Sequence, residues 1–89
     1  MEIDLINAVF DLTKIKPREV EECLEDPYAL RVLPENGPSA TRYYLIGKTL
    51  HGRGLFLSFT TNGKVAKIFF AREASELEIG SYERMAVEL

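Results

Sequence analysis

Two arginines carry the most specific chemistry in this 89-residue sequence. Arg53 precedes and Arg72 ends a stretch that reads as a β-hairpin, because Asn62-Gly63 between Thr61 and Lys64 is a strong type I′ turn signal. With Asn62 and Gly63 as the loop, Thr61 faces Lys64, and the pairing continues as Phe59 with Ala66, Leu57 with Ile68, Leu55 with Phe70 and Arg53 with Arg72. Like charges directly opposed on neighbouring strands repel, so this pair calls for an anion. One candidate is a carboxylate of the following segment: Glu78, Glu73 or Glu76. The other is a phosphate, which two planar, permanently charged guanidiniums grip through forked hydrogen bonds. The residues alone leave both open.

Other chemistry-bearing residues are fewer. His51 is the only histidine, in the turn Leu50-His51-Gly52 just before Arg53, where it is either an ordinary exposed residue or a group within reach of the arginines. Tyr43 and Tyr44 are cross-strand packing residues or base-stacking surfaces, depending on register, and Arg42 shares that ambiguity. Lys64 and Lys67 flank the hairpin turn and either meet nucleic-acid phosphates or protect a strand edge. The acidic run from Glu19 to Glu25 contains no paired histidines or cysteines and reads as a solvated helix face, not a metal site. Cys23, the only cysteine, reads as a small core residue.

The elements that must position these groups follow from periodicity. Ile3, Ile6 and Phe10, with Leu5, Val9 and Leu12 on a neighbouring row, predict a first helix over 3–12. Pro17 opens a second helix, about 17–25, with Val20, Cys23 and Leu24 as its buried stripe, and the Asp26-Pro27 step ends it. Residues 28–33 look extended, and Pro34-Glu35-Asn36-Gly37-Pro38 is a turn-rich loop. Strands are predicted over 42–48, 55–60 and after Lys64. Ser75 and Glu78 form a capping box that starts a C-terminal helix, whose stripe is Leu77, Ile79, Tyr82, Met85, Ala86 and Leu89. The predicted fold is a single α+β domain over 1–89: two N-terminal helices, an antiparallel sheet of three to four strands and a C-terminal helix, with the helices on one face.

Composition bounds the rest. A chain of 10.1 kDa with 46% apolar residues has room for one core and little for a large enclosing cleft. No apolar run is long enough to span a membrane, and no basic leader precedes a hydrophobic stretch, so a cytoplasmic protein is expected. The net charge of −3 hides a segregation. Residues 1–26 hold three bases and eight acids, residues 27–72 seven bases and one acid, and residues 73–89 one base and five acids. The sheet region therefore carries positive charge that a pI of 5.1 conceals.

Asp26-Pro27-Tyr28-Ala29-Leu30, Arg42-Tyr43-Tyr44-Leu45-Ile46-Gly47-Lys48, Gly52-Arg53-Gly54-Leu55, Phe69-Phe70-Ala71-Arg72-Glu73-Ala74-Ser75, and Glu78 with Tyr82, taken in order and spacing, resemble the BrnT family of bacterial type II toxins. The likeness runs from about Pro17 to Tyr82. It implies a RelE-like ribonuclease fold that cuts RNA without metal or cofactor and is neutralised by a small DNA-binding antitoxin, as a homo- or hetero-oligomer. It further implies that Arg53 and Arg72 hold the scissile phosphate while Glu78 and Tyr82 orient them or assist proton transfer. Arg42, His51, Lys64 and Lys67 are the expected RNA contacts. The chain departs from the family at its N-terminal region: it has no Trp, and Leu12-Thr13-Lys14-Ile15 stands where members carry a Lys-His-Gly segment. The alternative is a catalytically degenerate module that binds a protein partner without cleaving RNA.

Overall fold

The computed structural model describes residues 2–32 and 42–88. The described chain runs β1 (Glu2–Asp4), α1 (Pro17–Leu24), β2 (Leu30–Val32), β3 (Tyr43–Lys48), β4 (Gly54–Thr61), β5 (Val65–Glu73) and α2 (Glu76–Glu88). The five strands form one mixed sheet in the order β1-β5-β4-β3-β2, with β1 parallel to β5 and all other pairs antiparallel. The architecture is α+β, but its layout differs from the expected one. The loop predicted over Pro34–Pro38 lies outside the described residues.

The predicted helix over 3–12 is instead the edge strand β1 followed by turns. Asp4 accepts a hydrogen bond from the Ile6 N–H at 2.9 Å, and Asp11 accepts one from the Thr13 N–H at 2.8 Å. Such local side-chain bonds offer the backbone an alternative to helical pairing. Ile3 and Leu5 pack against the core while Ile6 is 87% exposed, so the apparent apolar row is split between inside and outside.

Helix α1 matches its predicted span, and Val20 and Cys23 are fully buried. Lysine carries no acceptor to cap it, so the Glu19 carboxylate does the work from the first turn, accepting the Lys16 N–H at 3.0 Å.

The two helices lie on opposite faces of the sheet. A Cβ at Gly47 of β3 would sit 2.9 Å from the Cys23 carbonyl oxygen of α1. A Cβ at Gly54 of β4 would run into Ile79 Cδ1 of α2. Gly47 pairs with Leu55, whereas Gly54 is one residue along and points the other way. Leu45, Leu55, Leu57, Phe59, Ala66, Ile68 and Ala71 therefore face α1 and form the main core, closed by Ile15. Tyr44, Ile46, Phe56 and Ser58 face the α2 side. Helix α2 covers only one end of that side, where Ile79 and the buried Tyr82 lie; Leu77 and Met85, expected on its buried stripe, are 86% and 45% exposed.

The β4–β5 register also departs from expectation, in two steps. Gly63 has φ +94° and Asn62 has no positive φ, so the tight loop is Gly63-Lys64 with glycine first, the placement a type II′ turn uses. Asn62 then faces Val65, accepting the Lys64 and Val65 N–H groups on Oδ1 at 2.9 and 3.0 Å. Phe59 consequently pairs with Ile68, not Ala66. Further along, a β-bulge shifts the register between Ser58 and Phe59, leaving Phe69 as the extra residue between Ile68 and Phe70. Beyond it Ser58 pairs with Phe70, Leu57 with Ala71, Phe56 with Arg72 and Leu55 with Glu73. The expected Arg53–Arg72 and Leu55–Phe70 pairs do not form.

Candidate functional site

The bulge separates the two arginines. Without it, alternation would place Arg72 on the α1 face; with it, Arg72 turns to the α2 face beside Phe56. Arg53, just before β4, stays on the α1 side. Both remain at the same end of the sheet and are bridged by Glu73, which meets Arg53 Nη2 through its carboxylate at 2.9 Å and Arg72 Nη1 through its carbonyl at 3.1 Å.

Arg53 is built into the fold. Its Nη1 donates to the Lys14 carbonyl at 2.9 Å and to both Glu19 carboxylate oxygens at 3.0 Å. It thereby ties the chain before α1, the first turn of α1 and the end of β5 into one node. The Glu19 and Glu73 bonds hold its pKa above the ordinary arginine value. Glu19 is held below the usual carboxylate value, first by the Lys16 N–H and then, against the opposing effect of burial, by Arg53.

Arg72 is held differently. Its guanidinium lies over the Phe56 ring, 4.3 Å from the centroid, and Tyr44 stacks on Phe56 at 5.7 Å. Glu78 grips it end-on, with Nη1 to Oε1 and Nη2 to Oε2 both at 2.8 Å. Glu78 also completes the expected capping box, accepting the Ser75 N–H at 2.8 Å while its own N–H donates to Ser75 Oγ at 3.2 Å. The Arg72 bonds lower the Glu78 pKa to about 2. Three of the five guanidinium hydrogens are thus used; Nε–H and the second Nη2–H form a further fork that pairs with nothing among the described residues. The side chain is 42% exposed, against 31% for Arg53.

The remaining predicted residues scatter. Tyr82 is buried, and its hydroxyl donates to Asp26 Oδ2 at 2.6 Å instead of meeting the arginines; burial and that bond raise its pKa. His51 is exposed on the β3–β4 turn. Lys64 is exposed in the β4–β5 turn, at the other end of a strand on the order of 25 Å long. Arg42 and Lys67 are exposed on the Arg72 side of the sheet: Lys67 pairs with Thr60, and the Arg42 guanidinium lies 4.8 Å over the Phe69 ring. That face therefore gathers Arg42, Lys67, Arg72 and Glu78, keeps Tyr82 buried under α2 and turned to Asp26, and leaves Arg53, His51 and Lys64 elsewhere.

Three residues were missed at the sequence level. Glu19 and Glu22 belong to the run read as a solvated face, yet Glu19 grips Arg53 and Glu22 accepts the Leu50 N–H at 3.1 Å. Asp26 accepts the Tyr28 N–H on Oδ1, and the Lys48 N–H and Tyr82 hydroxyl on Oδ2. The Asp-Pro step pointed to a side-chain-to-backbone turn there, but nothing local announced the distant partners. Asp26 and Tyr82 line a cleft of about 340 Å³ together with Glu22, Glu25, Lys48 and Leu50.

Cys23 is fully buried and its thiol is pushed up to about 12, chiefly by burial, so it remains a protonated core residue. Among the described residues no three His, Cys, Asp or Glu side chains are arranged to hold a metal ion, and no helix is long and apolar enough to cross a membrane. Compared with known proteins, the chain matches no family model, and no curated protein is significantly similar to it.

Proposed function

We propose that this chain acts on RNA in the cytoplasm as the toxin half of a BrnT-like toxin–antitoxin pair, with Arg72 as the group that takes the phosphate. The observation that carries the reading is the second fork of Arg72. Phe56 fixes its plane and Glu78 fixes one edge, leaving Nε–H and Nη2–H oriented together on a half-exposed side chain. A phosphate accepts both without displacing the carboxylate. In metal-free cleavage the ribose 2′-oxygen attacks the adjacent phosphorus, the bond to the 5′-oxygen breaks, and the charge growing on the phosphoryl oxygens is what a fixed guanidinium stabilises. Proton transfer is left to water. Glu78 stays ionised, both arginines stay charged, and the Tyr82 proton is engaged by Asp26.

One observation favours the second reading, a partner-binding module without cleavage: both arginines already have carboxylate partners, Glu78 for Arg72 and Glu19 with Glu73 for Arg53. Incubating purified protein with RNA in the presence of a chelator separates the two. The toxin reading expects cleavage that Arg72→Ala lowers by about a hundredfold, together with growth arrest on expression that the same variant relieves. Intact RNA and unimpaired growth with folded wild-type protein would leave the partner-binding module as the function.

A further inference from the structure

We infer that the Phe70 ring is the stacking site for an unpaired base of single-stranded RNA whose neighbouring phosphate sits on Arg72. This rests on the RNA reading of Arg72 given above, and it assigns a substrate geometry to that site. Four strand residues present aromatic rings on the α2 side of the sheet: Tyr44, Phe56, Phe69 and Phe70. Tyr44 and Phe56 stack on each other, Arg72 covers Phe56, and Arg42 covers Phe69. Of these four, Phe70 alone has neither ring nor cation against it among the described residues, and it is 37% exposed.

The bulge creates this arrangement. In regular alternation Phe69 and Phe70 would point to opposite faces; the extra residue lets Phe70 pair with Ser58 and Arg72 with Phe56 on the same face while Ala71 enters the core. Phe70 and Arg72 are thus same-face neighbours about 6.6–6.8 Å apart along the strand, close to one step of an extended nucleotide chain. Lys67 and Arg42 supply further positive charge beyond Phe70. The carboxylates on this side include Glu78, committed to Arg72, Glu83, paired with Lys48, and Glu2 and Asp4 of the edge strand, opposite Val65 and Lys67 across the β1–β5 pairing.

An exposed ring between cations on a sheet surface suits an unpaired base, since every base has a stackable face and its backbone is anionic. A duplex keeps its bases stacked on one another and offers the ring no such face. Phe70 acts here as a binding residue, separate from the charge stabilisation assigned to Arg72.

The test is binding of a short labelled oligouridine in low salt, with a duplex of the same length as comparison. Phe70→Leu is expected to weaken single-strand binding roughly tenfold with an unchanged salt dependence, and Phe70→Tyr to restore it. Arg72→Ala is expected to weaken binding and to flatten the salt dependence by about one phosphate contact. Because the chain has no tryptophan, Phe70→Trp places a single reporter on the face, and its emission should be quenched by single-stranded RNA and not by the duplex. If Phe70→Leu binds like wild type while Arg72→Ala is weakened, the stacking site is overturned and the RNA reading survives. If wild-type protein binds no single strand, both fall.

Discussion

Arg53 and Arg72 occupy the same end of the same sheet, touch the same residue, Glu73, and do opposite kinds of work. Arg53 has its bonds distributed over three segments that are far apart in sequence, which makes it a tie. Arg72 has its bonds concentrated on the adjoining helix start, with an aromatic floor beneath and an unused fork at its edge. The comparison teaches that a guanidinium's role is read from where its partners come from. Partners drawn from the whole fold consume the donors for stability, whereas partners from one neighbouring turn hold the plane and leave donors for a ligand.

The widest consequence of this contrast concerns the faces themselves. Gly47→Ala drives a methyl into the backbone of α1, and neither the Cys23 carbonyl nor the buried Leu45 can move aside cheaply. A loss of about 2 kcal/mol is expected by urea denaturation. A wild-type midpoint for this variant would mean that the α1 face is not the rigid one.

Comparable in size, Arg53→Ala should cost about 2 kcal/mol, since it strands the Glu19 carboxylate and the Lys14 carbonyl together. Arg72→Ala should cost about 1 kcal/mol, the arginine itself being more open to water than Arg53. Equal losses would erase the distinction between tie and ligand site.

Acid titration sharpens it further. The folded pKa of Glu78 is depressed from 4.5 to about 2, so its contribution is fully present above pH 4.5 and is lost as pH falls toward 2. Glu19 is shifted in the same direction. Wild type should therefore lose stability through this window, by about 1 kcal/mol for the Glu78 pair after allowance for solvent screening. Arg72→Ala should flatten that part of the profile, and a slope unchanged in the variant would show that Glu78 is held down by something other than Arg72.

The smallest effect belongs to Gly54→Ala. The clashing atom there is the far end of Ile79, which can rotate away, and the variant's loss of unfolded-state freedom offsets the strain. Stability within about 0.5 kcal/mol of wild type is expected; a larger loss would show that α2 is packed as tightly as α1.

What the sequence made legible was whatever is decided locally. Pro17 and Glu19 start α1, Ser75 and Glu78 start α2, and the branched and aromatic runs give β3, β4 and β5 nearly to the residue. Residues 30–32 are extended as expected. What escaped was decided at a distance or by one residue of slip. Ile3 and Leu5 look helical next to Ile6 and Val9, and only β5 makes a strand of Glu2–Asp4. Asn62-Gly63 signals a tight turn but does not say whether glycine stands first or second in it. The adjacent phenylalanines mark the bulge only in retrospect, and that single residue moves Arg72 to the other side of the sheet. Glu78, one of the carboxylates the sequence offered as a partner, does meet Arg72, whereas Arg53 and Arg72 do not face each other across the strands. The family likeness itself is a reading of motif order, and the RNA experiments above are its test.

The parallel pairing of β1 with β5 has a kinetic consequence. Every other strand finds its partner in the next strand along the chain, so β2 to β5 can assemble as a growing meander. Glu2–Asp4 must wait until Val65–Lys67 exists and is in place, closing the longest loop of the sheet last. During synthesis Glu2–Asp4 thus has no strand partner until β5 has been made, and the α1 side of β5, where Ile3 and Leu5 finally settle, is the last part of the core to be sealed.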